Sequence, residues 1–197
     1  MTSAAKTRLE VIHGEIRKHY PRTVHTPNGT EFELRLMDAG DSAAMLAFAR
    51  SLPEDDLMFL PTNITQEHAV HDWIRNIEEG RTLTILAHDG DTLAGFASLG
   101  FGTTEWMRHL GEIQLLTGRE YRGQGLGRLL AREIYKLARQ LGLRRLAAHM
   151  SLDQAGARAT FERLGFRAEA LLTDWVMDAR GETRDLLIMS YDLSESD

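Results

Sequence analysis

From Gln114 to Leu141 the chain reads QLLTGREYRGQGLGRLLAREIYKLARQL: an apolar strand, a turn with three glycines, then the most periodic helix in the sequence. Leu126, Leu129, Leu130, Ile134, Leu137 and Leu141 fall on one helix face that has to be buried. Gly142 follows as a C-terminal stop. Gly123, Gly125 and Gly127 allow a sharp backbone turn, and the N–H groups there and in the first helical turn are free to meet an anion. Two familiar phosphate loops do not match. The chain lacks the Gly-Lys-Ser/Thr of a P-loop, and a dinucleotide fingerprint would need glycine where Leu130 stands. Neither ATP nor NAD is indicated.

Around this unit the pattern alternates between strands and helices. Lys6–Tyr20 reads as a helix carrying Leu9, Ile12 and Ile16 on one stripe, and Pro21 with Thr26–Gly29 reads as a linker or turn. Strands are expected over Glu31–Met37, Arg81–His88 and Thr92–Phe101, the last two joined as a hairpin at Asp89-Gly90-Asp91. Asp41 is placed as N-cap of a helix toward Arg50, and a second helix covers Gln66–Glu79. Later strands are read over His109–Thr117, Arg145–Met150, Phe166–Met177 and Leu186–Leu193, with a helix at Ala155–Leu164 ended by Gly165. The expected fold is α/β, a mixed, partly antiparallel sheet flanked by helices. At 197 residues this is one domain, set at 28–197, after an N-terminal helical extension and linker at 1–27.

Charge is distributed unevenly. Between Gly118 and Arg145 stand eight cations (Arg119, Arg122, Arg128, Arg132, Lys136, Arg139, Arg144, Arg145) against Glu120 and Glu133, a net +6. The whole chain carries −6, so the remainder carries −12. A solvated helix face and an anion site both account for such a run. The overall acidity excludes a general nucleic-acid binder. There are no cysteines, which removes a disulfide framework, a thiolate metal site and a cysteine nucleophile together. With no signal-like segment and no long apolar run, a cytoplasmic protein without a membrane partner is expected.

Arg122-Gly123-Gln124-Gly125-Leu126-Gly127 resembles the acyl-CoA-binding signature Q/R-x-x-G-x-G/A of the GNAT superfamily of N-acetyltransferases. The strand Leu115-Leu116-Thr117 before it and ARATFERLGF at Ala157–Phe166 after it are similar to the family's flanking segments. The resemblance spans most of residues 31–193. It implies that acetyl-CoA lies between two splayed parallel strands, here His109–Thr117 and Arg145–Met150. By the same resemblance, backbone groups of Leu115, Leu116 and Thr117 meet the pantetheine arm. The diphosphate falls to Gly123, Gln124, Gly125, Leu126, Gly127 and Arg128, with Arg122 and Arg128 neutralising part of its charge.

The implied chemistry is attack of an amine on a thioester. An alkylammonium with a pKa of about 10.4 has to lose a proton first, which calls for a base. Glu112, on the strand entering the site, is the candidate; an exposed strand-end glutamate is the plainer reading. Without cysteine, direct transfer in a ternary complex is expected, with strand N–H groups polarising the carbonyl. Two departures stand out. Phe161 occupies the position where the family commonly has a tyrosine acting as general acid, and it is left to pack near the sulfur. Gln154 replaces an asparagine that contacts pantetheine. His149 and Ser151 lie nearby in sequence.

The resemblance implies a primary amine as acceptor, of a small molecule or of a peptide or protein. A non-catalytic acyl-CoA-binding sensor is the alternative, favoured by Phe161. No metal is expected: His68 and His71 share a helix face but lack a third ligand in motif spacing. Ser98 lies in no nucleophile elbow, and Trp73 and Trp106 are read as core or site-wall aromatics. The Leu9, Ile12 and Ile16 stripe is expected to dock on the domain, the other candidate surface being a second subunit in a homodimer.

Overall fold

The computed structural model describes residues 14–57, 60, 62–102, 104–178 and 180–194. Eight strands form one sheet: β1 (Arg22–His25), β2 (Glu31–Leu36), β3 (Thr82–Asp89), β4 (Thr92–Phe101), β5 (Leu110–Thr117), β6 (Arg145–Ser151), β7 (Arg167–Met177) and β8 (Thr183–Asp192). Their spatial order is β1-β2-β3-β4-β5-β6-β8-β7. Every neighbouring pair is antiparallel except β5 and β6. The principal helices are α1 (Ser42–Ser51), α2 (Glu67–Glu78), α3 (Leu126–Gln140) and α4 (Ala155–Arg163). This is the expected mixed α/β sheet. None of the helices among the described residues is long and apolar enough to cross a membrane.

Apolar side chains on the two sheet faces build two cores. On one face Leu126, Leu130, Ile134 and Leu137 of α3 pack with Ile85, Leu99, Ile113, Leu146 and Met150. Each such burial is worth about 1.5–3 kcal/mol, so this stripe is what holds α3 to the sheet. Phe161 of α4 belongs to the same core and meets Phe166 edge-on, with ring centroids 5.0 Å apart. On the opposite face α1 and α2 supply Met45, Phe48, Val70, Trp73 and Ile74, which pack on Leu86 and Phe96. Alternation along β5 follows from this: Ile113 and Leu115 turn toward α3, whereas Leu116 packs with the α1/α2 core.

Glycine marks the helix ends as expected, with φ +91° at Gly125, +78° at Gly142 and +92° at Gly165. One local reading needs correction. Residues 22–25, read as linker, form the edge strand β1, paired Arg22↔Leu34 to His25↔Glu31. Asp41 stands at the N-cap of α1 as expected, although its side chain makes no capping hydrogen bond there. Instead Asp38 caps a 3-10 turn at Ala39–Asp41, and the Asp41 carboxylate accepts from the Asp38 N–H and pairs with Arg35. Trp106 is 78% exposed and belongs to no core. Trp73 does, its indole N–H donating to Thr84 Oγ1 at 3.0 Å. Of the N-terminal helix read over Lys6–Tyr20, residues 6–13, with Leu9 and Ile12, lie outside the described residues; Ile16 is buried.

Candidate active site

Strands β5 and β6 pair only at Leu110↔Arg145, Gly111↔Leu146 and Glu112↔Ala147. Beyond that rung they part, although both continue, β5 to Thr117 and β6 to Ser151. The far edges of both stay zipped, β5 to β4 and β6 to β8. Residues 113–117 therefore present backbone groups to a gap rather than to a neighbouring strand, and buried backbone groups require partners. The gap leads to the glycine-rich turn.

A 3-10 turn at Arg119–Tyr121 follows β5, and α3 starts after Gly125 with no side-chain cap. The first helical N–H to find a carbonyl is that of Leu129, which donates to Gly125 O at 3.0 Å. The N–H groups of Leu126, Gly127 and Arg128 are thus open, at the positive end of a fifteen-residue helix. Gly123 has φ +74° and empty space where a Cβ would stand. Gln124 is turned back, its amide donating to Glu120 O at 2.6 Å.

The basic window is less local than its net charge implies. Arg139 lies roughly 20 Å along the helix axis from the turn, and Arg145 pairs with Glu169 and Asp192 at the far end of the parallel pair. Lys136 pairs with Glu133 at 3.0 Å. At the turn itself Arg122 is held by Asp56, from the helical turn at Glu54–Leu57. Arg128 is exposed and pairs with no carboxylate among the described residues. Of the two arginines expected to neutralise the diphosphate, Arg122 is already paired with a carboxylate and Arg128 is paired with none among the described residues.

At the point where the strands part, Glu112 and His149 meet. Glu112 sits on the last paired rung, and His149 is two residues beyond its partner Ala147, so both project from the face opposite α3. The Glu112 Oε1 lies 3.4 Å from His149 Nδ1, and both side chains are a little over one-third exposed. The hydrogen bond to Glu112 raises the imidazole pKa above its ordinary 6.5; burial opposes this, and the Glu112 charge adds to it. Sequence proximity pointed to His149 without a role, because contact with Glu112 depends on strand register. Ser151 is fully buried, and its hydroxyl accepts from the Asp153 N–H at 3.3 Å. Gln154 precedes α4, half-buried, its N–H on Ser151 O at 3.1 Å. Leu115, Leu116, Thr117 and the turn are brought to one gap with Glu112; Phe161 lies in the core beneath α4. His68 and His71 are exposed on α2, and no group of three candidate metal ligands occurs among the described residues.

The family model for the Acetyltransferase (GNAT) family matches residues 47–166, a stretch that runs from within α1 to just past α4 and includes the parallel pair. The chain belongs to the GNAT acetyltransferase family. A curated relative from Bacillus subtilis (strain 168), "Putative phosphinothricin acetyltransferase YwnH", is 25% identical over 163 residues, 82% of this chain and 99% of its own. The streptothricin acetyltransferase of Streptomyces lavendulae is 32% identical over 88 residues, 45% of each chain. Among solved structures, yncA from Salmonella typhimurium, solved with its cofactor acetyl-CoA, superposes with a TM-score of 0.70 at 19% identity, over 84% of this chain and 96% of its own.

Proposed function

We propose that this enzyme transfers an acetyl group from acetyl-CoA to a primary amine by direct attack in a ternary complex. The observation that carries the reading is the parting of β5 and β6 after Glu112↔Ala147, which opens a gap leading to an uncapped helix N-terminus. A thioester arm bearing a diphosphate has the shape and charge for that gap and that turn. Family membership supports the reaction class. The names of the two curated relatives, phosphinothricin and streptothricin acetyltransferase, favour a small-molecule acceptor over a peptide amine.

Backbone groups of Leu115, Leu116 and Thr117 would hold the pantetheine arm. The N–H groups of Gly123, Gln124, Gly125, Leu126, Gly127 and Arg128 would hold the diphosphate, with the Arg128 guanidinium adding charge. Arg122 contributes its backbone, since Asp56 already neutralises its side chain. Gln154 and Phe161 would border the arm from the β6 side, the first by hydrogen bonding and the second by apolar contact. Acetyl-CoA supplies the electrophile, a thioester carbonyl, toward which N–H groups of the open part of β5 can donate.

Glu112 is the proposed base, with His149 as its partner. The incoming ammonium loses a proton to this pair, directly or through one water, and the resulting amine attacks. Such assistance contributes about 10²–10⁴ in rate. Because residue 161 is phenylalanine, no hydroxyl there can protonate the departing sulfur, and that proton comes from water or from the pair. The test is release of free thiol from acetyl-CoA across a panel of small amines and N-terminal peptides. Amine-dependent release is expected; acetyl-CoA binding with no acetylation of any acceptor would overturn the reading in favour of a sensor.

A further inference from the structure

The first described residues run along α3 as a strap. Ile16 is 2% exposed and shares a cavity wall with Leu137 and Gln140, in the C-terminal half of the helix. One to two turns nearer the N-terminus, Arg22 pairs with Glu133, and the Tyr20 hydroxyl donates to the same carboxylate at 3.3 Å. Burial pushes the Tyr20 hydroxyl pKa up to about 12, helped by the Glu133 charge. Burial also pushes the Glu133 carboxyl upward, but Arg22 and Lys136 outweigh it and hold it below the usual carboxylate range. At the end of the strap Thr26 and Pro27 reach Gly125: a Cβ there would stand 3.1 Å from Pro27 Cδ and 3.8 Å from Thr26 Cβ. The three anchor points follow the helix in order, ending at the residue that opens the anion-binding turn.

The β1–β2 turn is closed upon itself. Thr26 N–H donates to Thr30 O and Gly29 N–H to Thr26 O, both at 2.9 Å. Thr26 is 4% exposed, and its hydroxyl donates to Asn28 Oδ1, which also accepts the Thr30 N–H at 3.4 Å. Asn28 is exposed, and its amide N–H₂ makes no hydrogen bond among the described residues. Pro27 therefore seals against Gly125 while the next residue offers two donors that the turn does not use.

We propose that the Thr26–Thr30 turn is the outer wall of the coenzyme's phosphate site and that Asn28 sets coenzyme affinity from it, well outside the glycine-rich motif. This inference rests on the acetyl-CoA reading above. Asn28→Asp keeps the oxygen that Thr26 and Thr30 donate to, so the turn survives, but it replaces the donor with a negative charge. Asn28→Lys reverses the sign at the same exposed position but loses that oxygen, so its Kd is compared only where its melt matches wild type.

Titration calorimetry with CoA, run with thermal melts on each variant, tests the inference. Asn28→Asp is expected to raise Kd about tenfold at low salt, and the penalty shrinks as added salt shortens the Debye length. Asn28→Lys is expected to lower Kd by about threefold under the same conditions. In steady-state assays both effects fall on KM for acetyl-CoA rather than on kcat or the acceptor KM. Folded variants of both signs with wild-type Kd would overturn the inference, as would equal, salt-independent weakening by both, the mark of mere damage to the turn. A wild-type protein that does not bind CoA would overturn the functional reading and this inference with it.

Discussion

The two halves of β5 share one strand and one antiparallel partner, β4, yet they meet opposite conditions on the β6 side. From Leu110 to Glu112 the strand is sealed by backbone pairing. From Ile113 to Thr117 it is not. Glycine shows what the difference means. At Gly111, in the sealed half, a Cβ would stand 2.7 Å from Leu99 Cδ1, 2.8 Å from Leu143 Cδ1 and 3.1 Å from Leu146 Cδ2. Protein fills that space. At Gly127, which faces the open half, a Cβ would meet Leu115 Cδ2 at 3.5 Å and Thr117 Cγ2 at 4.0 Å, ordinary contact. The first glycine is required by packing. The second is not, and under the proposed function its small size leaves room for the coenzyme.

Substitutions at these positions separate the two explanations. The largest effect is expected for Gly127→Asp, which sets a carboxylate against the diphosphate. Two like charges about 4 Å apart at an effective dielectric near 20 repel by about 4 kcal/mol, so CoA Kd rises by about a thousandfold. A melt close to wild type would accompany it. Gly125→Asp does not make this test, because its φ of +91° and its contact with Pro27 mean the turn itself is damaged. A folded Gly127→Asp protein that binds CoA normally would break the assignment of the open half.

Next in size is Glu112→Gln, expected to lower kcat by about a hundredfold near neutral pH, with partial recovery at high pH as free amine accumulates. KM for acetyl-CoA stays unchanged. The same variant removes the group that raises the His149 pKa, so NMR titration should find His149 above 6.5 in the wild type and lower in Glu112→Gln. The raised pKa has a stability consequence with a definite sign. The pair stabilises the fold fully below about pH 6.5, and its contribution fades as pH rises through the raised value. A His149 titration unmoved by Glu112→Gln would separate the two residues.

In the sealed half, Gly111→Ala is expected to cost about 1–3 kcal/mol through overpacking. It should lower Tm while leaving CoA Kd alone; the reverse pattern would contradict the division of β5. The smallest effect is at Asp56→Asn. Freed from its carboxylate, Arg122 can face the diphosphate, and CoA affinity should rise by about two- to threefold, the scale of a partly exposed ion pair. Weaker binding would mean that Asp56 holds the turn in shape.

How much of this was legible in the sequence follows from the range of each interaction. The β5–turn–α3 unit could be read because glycine placement and a 3.6-residue apolar period are local properties. The β3–β4 hairpin at Gly90 could be read for the same reason, and Gly90 has φ +54°. Strand β1 could not: it is four residues long, lies at the sheet edge and borrows its pairing from β2. Glu133 looked like one more surface charge, yet it is 5% exposed because Tyr20 and Arg22, more than a hundred residues earlier, close over it. The Glu112–His149 contact depends on the register of two strands that pair over three rungs. Charge counting placed the +6 correctly along the sequence and too tightly in space, since a helix spreads it over its whole length.

Hydrogen–deuterium exchange with and without acetyl-CoA tests the central division most directly. Amides of residues 113–117 and 123–128 should gain protection on adding acetyl-CoA, while those of residues 110–112 stay as protected as before. Uniform protection along β5, or protection confined to another part of the sheet, would contradict the account.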